Sequence, residues 1–179
     1  HRDLHSFPTR RSSDLNLSVK LKIIGDGPIA ESLHKKTVKE NINNVIFTGH
    51  MNNVELTREI RNALVTITPS EWYENNPRNV IESFALGKPV IGARIGGIPE
   101  LVKDGQTGLT FEPGNAIDLR SKIESLINNP QKCIEMGRTA RKLVEEEFNA
   151  ERHYEKLIKI YETAINQRNN SVKIPKTRT

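Results

Sequence analysis

The sequence predicts an α/β fold, a parallel sheet with helices on both faces, and two observations predict it. From Leu17 onward, short β-rich runs alternate with segments of helical period. Each run is followed by a helix rather than by a tight hairpin turn, which implies βαβ units and parallel pairing. Val19–Ile24 is the first run, ended by the turn Gly25-Asp26-Gly27-Pro28, and Ile29–Glu40 follows as a helix. Val45–Thr48 is the second. A helix over Val54–Ala63 comes after it, with Asn52 or Asn53 as the cap whose side chain accepts first-turn N–H groups. Leu64–Thr68 is the third run, and Asn79–Leu86 forms a helix closed by Gly87, with Pro89 just beyond. Val90–Ala93 and Gly108–Phe111 are the fourth and fifth.

The rest is helical. Leu119, Ile123, Leu126 and Ile127 share one face, and Asn129-Pro130 opens a helix to about Glu147, a cap followed by a first-turn proline. Tyr154, Leu157, Ile158, Tyr161 and Ile165 then make an apolar stripe at helical spacing. There are no tandem repeats.

A chain of 179 residues can bury a core of its own. Mean hydropathy is −0.56, and no apolar run approaches the roughly 20 residues that span a bilayer. No charged-then-apolar signal segment opens the chain. The single cysteine, Cys133, can form no internal disulfide and has no metal-ligand spacing around it, which places the chain in the cytoplasm. The net charge of +5 invites a nucleic-acid reading, but its position argues against one. Arg168, Lys173, Lys176 and Arg178 at the end, with the excess of Arg2, Arg10 and Arg11 over Asp3 and Asp14 at the start, account for all of it. The body, residues 16–167, is one neutral domain. Residues 168–179 read as a solvated, disordered basic tail, with peripheral contact to anionic lipid as the second reading.

The opening, residues 1–15, reads as a non-native leader. It has no helical or alternating period. Its His-Arg-Asp-Leu lacks the downstream Asn of a kinase catalytic loop, and no Gly-rich loop accompanies it. The stretch SFPTRRSSDL instead resembles a translated sequencing-adapter read.

In open α/β sheets the ligand sits beyond the carboxyl ends of the strands. The unusual loops all lie there: GDGP after the first strand, GHM after the second, PSEWYENNP after the third and RIGGIPE after the fourth. Alone, Gly25-Asp26-Gly27-Pro28 is too short for a dinucleotide fingerprint and lacks a P-loop lysine. The central segment says more. Pro77 ahead of a helix leaves free N–H groups at Arg78 and Asn79, a terminus suited to phosphate. Glu82, about one turn further in, can accept two hydrogen bonds from vicinal hydroxyls, as on a ribose. Glu74, in the preceding loop, faces whatever lies beyond the phosphates. The spacing itself is uninformative, since Glu147 and Glu155 repeat it and read as a solvated helical pair.

The run PSEWYENNPRNVIESFALGKPVIGARIGGIPELVKDGQTGLTFEPGN closely resembles the group 1 retaining glycosyltransferases of the GT-B fold class. The E-x7-E pair is Glu74 and Glu82, followed by a small-residue helix, G-x-P-V, GGIPE and the TGL strand. The resemblance covers about Leu17 to Gln167 and implies the Rossmann-like C-terminal half of such an enzyme. It implies that Glu82 holds the ribose of a nucleoside-diphosphate sugar and that Glu74, at the catalytic centre, binds hydroxyls of the donor sugar. The amides of Arg78 and Asn79 receive the diphosphate. Gly25 sits close to the donor, and the backbone around Phe47 and Gly49 frames the base. It also implies catalysis without a bound metal or cofactor, and an acceptor glycan or lipid held mainly by an N-terminal domain.

The sequence departs from that family in three ways. The Arg–Lys pair expected upstream of Val19 is absent, as is the acceptor domain, and the usual E-G-F-G reads Glu74-Asn75-Asn76-Pro77. The expectation is a fragment that binds donor weakly and does not turn over, with the stripe of its last helix left uncovered. The competing readings are a noncatalytic nucleotide-sugar-binding module and a sugar-nucleotide epimerase. Glycosidase action is disfavoured, because hydroxyl recognition explains both carboxylates better than a flanked glycosidic bond does.

Overall fold

A computed structural model describes residues 19–171, with side chains as far as Arg168. The expected leader lies outside the described residues, as do residues 172–179 of the expected tail. The chain divides after Arg141 into two compact units.

Among its described residues the first unit holds five strands: Leu21–Ile24 (β1), Val45–Gly49 (β2), Thr66–Thr68 (β3), Val90–Ala93 (β4) and Gly108–Phe111 (β5). Between them run Ala30–Lys39 (α1), Asn53–Asn62 (α2), Arg78–Ala85 (α3) and Ile98–Leu101 (α4). Ala116–Ile127 (α5) and Pro130–Glu147 (α6) follow, and Ala150–Ser171 (α7) belongs to the second unit. Every strand pairing is parallel, as the alternation of strands and helices implies. The pairings make two sheets, β1-β2 and β3-β4-β5, where the sequence suggested one. In the first, Leu21 pairs with Val45 and Ile23 with Phe47, and a bulge then sets Ile24 against Gly49. In the second, Val90 lies between Thr66 and Gly108.

Burial is uneven. All four residues of β4 are buried, as a central parallel strand with both faces covered requires. Ile91 and Ala93 pack with Phe111, Leu119, Leu126, Cys133 and Met136, so β4, β5, α5 and α6 share one core. No residue of β1 or β2 reaches that degree of burial. Burial pushes the Cys133 thiol above its ordinary range, which suits a packing residue rather than a reactive one.

Local chemistry sets the helix ends. Asn52 is the cap of α2: its Oδ1 accepts from Val54 and Glu55 N–H at 3.0 Å, and Glu55 accepts from Asn52 N–H at 3.0 Å, a complete capping box. Asn115 caps α5 through Ile117 and Asp118 N–H at 3.1 Å. At the far end of α3, Gly87 N–H donates to Phe84 O at 2.9 Å and Lys88 N–H to Ser83 O at 3.0 Å. That is a Schellman closure with Gly87 at φ 68°, a backbone conformation glycine adopts freely. Asn129 donates its side-chain amide to Ser125 O at 2.9 Å, and its carbonyl accepts Lys132 and Cys133 N–H, joining α5 to α6.

In the second unit α7 continues through Ser171, past the boundary expected at residue 167. Tyr154, Tyr161 and Ile165 of its stripe are exposed. Glu147 and Glu155 fall on different helices and do not form the helical pair that their spacing suggested. Glu147 is instead engaged by Lys156 Nζ at 2.7 Å and Arg152 at 3.6 Å. Its hydrogen bond and charge interaction with Lys156 hold its carboxyl below the ordinary range. The contact is therefore complete above the usual carboxylate range and lost as pH falls through the depressed value.

Gly137 of α6 lies against the Gly87 carbonyl, where any Cβ would overlap it. Gly137→Ala is expected to lower stability by about 1–3 kcal/mol through overpacking. Urea unfolding with an unchanged midpoint would show that the two helices separate without cost.

Candidate functional site

The loops after the strands meet in two pairs, one on each sheet. Gly25 N–H donates to Gly49 O at 2.8 Å, and His50 N–H to Asp26 Oδ2 at 3.2 Å. These bonds bring GDGP and GHM together, as a shared ligand edge requires. The Phe47 ring is taken up in packing, 5.5 Å from that of His34 on α1, so this residue offers only backbone.

The loop between β3 and α3 carries Glu74. Its carboxylate, half-buried, accepts the Ser70 hydroxyl at 2.9 Å, and its carbonyl accepts Gly97 N–H at 2.6 Å. A Cβ on Gly96 would lie 2.6 Å from both the nitrogen and oxygen of Glu74, and one on Gly97 would lie 2.7 Å from Asn75 O. The Gly96-Gly97 pair therefore permits backbone-on-backbone contact between the loops after β3 and β4. Gly96 also sits at φ 57°, which disfavours any side chain there. Ser70, Gly96 and Gly97 are site residues that the sequence reading did not single out. The only available signal was the placing of RIGGIPE on the ligand edge.

Next along the chain, α3 starts without a side-chain cap and without an acid in its first turn. It differs in both respects from α2 and α5, each capped by an Asn and carrying an acid. Val80 and Ile81 N–H turn back to Pro77 O at 3.0 and 3.4 Å, while Arg78 and Asn79 N–H meet no acceptor among the described residues. The Asn79 side chain is committed to structure: it donates to Thr68 Oγ1 at 2.9 Å and accepts Val80 N–H at 3.0 Å. Ser83 bridges Thr66 Oγ1 and Asn79 O, tying the helix to β3. The start of α3 is thus held in place with its N–H donors unspent, where the helix dipole adds positive potential. Glu82 lies one turn in, and its Oε1 is 3.4 Å from Arg78 Nη2. With the two side chains 49% and 84% exposed, that pair is worth at most about 1 kcal/mol and leaves Glu82 available.

A further cation stands at the end of β4. Arg94 donates to Thr110 Oγ1 at 3.2–3.3 Å, and Thr110 is in turn held by the Asp104 carboxylate. Among the described residues, no three His, Cys, Asp or Glu side chains gather as metal ligands, and no helix is long and apolar enough to cross a membrane.

Gly96→Ala is expected to push the two loops apart and cost roughly 1–3 kcal/mol, from backbone strain plus the clash at Glu74. Faster proteolytic nicking between Pro69 and Pro77 is the matching readout. An unaltered cleavage rate and melting temperature would rule out the clamp.

Comparison with known proteins gives the family. The family model described as Glycosyl transferases group 1 matches residues 4–143, beginning inside the stretch that the sequence reading set apart as a leader. An uncharacterized glycosyltransferase of Methanocaldococcus jannaschii is 31% identical over 151 residues, 82% of this chain and 41% of that protein. A sulfoquinovosyl transferase of Arabidopsis thaliana is 33% identical over 129 residues, 70% of this chain and 24% of that protein. The chain thus spans less than half the length of either relative. An Anabaena protein, HepE, crystallised with UDP and glucose, shares the fold with a TM-score of 0.71 at 22% identity, over 81% of this chain and 41% of that one. Its loop edge, its family match and its structural likeness agree: the chain belongs to the group 1 glycosyl transferases.

Proposed function

We propose that this chain is the donor-binding half of a retaining glycosyltransferase, holding a nucleoside-diphosphate sugar at the open end of α3. The observation that carries this reading is the contrast between helix ends: α2 and α5 are capped, and α3 offers Arg78 and Asn79 N–H to an anion. The diphosphate lies on those donors, and Glu82 binds the ribose hydroxyls. Glu74, fixed by Ser70 and Gly97, binds hydroxyls of the donor sugar and serves as the catalytic-centre carboxylate. The joined loops at Gly25 and Gly49 stand beside the nucleoside, with the Phe47 backbone behind them. The Anabaena neighbour's UDP and glucose support a ligand of this chemical class.

In the transfer, the bond between the anomeric carbon and the diphosphate oxygen breaks. An acceptor hydroxyl forms the new bond on the same face, and its proton leaves with the diphosphate. Oriented N–H groups stabilise the charge that accumulates on the leaving oxygens, without a bound metal. The acceptor, a glycan or lipid, is held mainly by an N-terminal domain of the parent protein. The compartment is the cytoplasm, with peripheral contact at the membrane through the basic end.

Titrating the chain with UDP, GDP and ADP should move the Arg78 and Asn79 amide signals for at least one of them. Glu82→Ala should weaken that nucleotide by about 2 kcal/mol, roughly thirtyfold in Kd, because a charged hydrogen-bond acceptor is lost. Equal affinity by calorimetry would remove Glu82 from the site, and still amides would remove the helix end.

A further inference from the structure

The loop that carries Glu74 also displays two aromatic side chains to solvent. Trp72 is 67% exposed and Tyr73 86%, among the most exposed large apolar residues described. Aromatic residues are only 5% of the chain, and Trp72 is its sole tryptophan. Two adjacent, uncovered rings therefore ask for an explanation that scattered exposed aliphatics do not.

Loose chain does not account for them. On one side, Gly97 N–H holds the Glu74 carbonyl, and the Tyr73 carbonyl carbon lies 3.1 Å from the position a Cβ on Gly96 would take. On the other, Glu71 Oε1 comes within 3.6 Å of the same position on Gly114, in the loop after β5. The stretch is tied down at Glu74, and the Ser70 hydroxyl bonded to the Glu74 carboxylate closes it across the two rings, which lowers the ordering entropy lost on binding. Carboxylates flank them: Glu71 before, for the outer ring, and Glu74 after, on the side given to the donor sugar. A pyranose ring matches this alternation. Its C–H face is apolar and slightly positive and lies against the negative face of an aromatic ring, while its hydroxyl edges donate to carboxylates.

We propose that Trp72 and Tyr73 form a stacking platform for a glycan acceptor, the sugar that receives the transferred residue. The proposal rests on the reading of Glu74 as the donor-sugar carboxylate. Glu74 is half-buried and committed to Ser70, whereas the two rings just upstream are open. The donor sugar occupies the inner position, and the ring that stacks on the platform is the next one out. The C-terminal half then contributes one wall of the acceptor site.

The single tryptophan makes the test direct, since its indole N–H gives one side-chain signal in a proton–nitrogen correlation spectrum of the chain. Trisaccharides of glucose, mannose and N-acetylglucosamine serve as acceptor probes, and UDP as a separate probe. At least one trisaccharide should shift the Trp72 indole saturably. Tyr73→Ala should weaken that binding roughly tenfold, as loss of an aromatic anchor does. Tyr154→Ala on α7 should leave it unchanged. Both platform residues are exposed, so their replacement leaves the fold intact, and the dispersion of the same spectra verifies it. An indole that responds to no trisaccharide, or to UDP alone, overturns the platform, as does a trisaccharide shift indifferent to Tyr73→Ala. Failure of the donor reading is seen separately, as Arg78 and Asn79 amides that ignore UDP.

Discussion

β4 is the strand on which the site is built. Its four residues are buried, and parallel neighbours bond it on both sides. Gly92 within it has no room for a side chain, because a Cβ would come within 2.5 Å of Ile98 Cγ2 on α4. The strand, the short helix after it and the loop between them are therefore fixed as one piece. Gly96 and Gly97 project from that piece onto the Glu74 backbone. A carboxylate on a long loop acquires its position from the most enclosed strand of the fold. In this way a loop rich in Asn and Pro can hold a defined shape with few side-chain contacts of its own.

The treatment of helix ends follows a division of labour. At the starts of α2 and α5 an asparagine satisfies the first free N–H groups, each such cap contributing about 1 kcal/mol, whereas α1 and α3 start without a side-chain cap. At α3 the fold secures the helix by other means: the Asn79 and Ser83 side chains bond it to β3, and Val80 and Phe84 are buried beneath it. Its first amides remain unspent. Stability that a cap would have supplied comes from burial, and the Arg78 and Asn79 amides meet no acceptor among the described residues.

Much of this arrangement was legible in the sequence. Val90–Ala93 and Gly108–Phe111 are strands with the bounds expected, because each is a short, mostly apolar run closed by a charged residue, Arg94 or Glu112. The bounds of β3 were not legible: Leu64 and Val65 are apolar and pack on the core, yet the strand begins at Thr66. Apolarity reports burial there and not strand pairing. The helix α4 escaped notice because four residues are too few to show a period, and Gly97 and Pro99 read as loop. Arg78 and Asn79 stand out in the sequence because a helix start after proline has a local signature, and Glu74 and Glu82 stand out through the motif around it. Ser70 and the two glycines do not, because their roles exist only through contacts that the fold creates.

The close approach of Gly87 and Gly137 has a meaning beyond packing. From α6, Gly137 abuts the carbonyl of Gly87 and Arg141 donates to Ala85 O, so one helix grips the last turn of α3 at two points. α3 has eight residues and is about 12 Å long, stiff from the gripped end to the amides of Arg78 and Asn79. It is a lever whose short fulcrum is a pair of glycines. A side chain at position 137 would therefore be felt at the first turn of α3, although α6 lends no group to the candidate site.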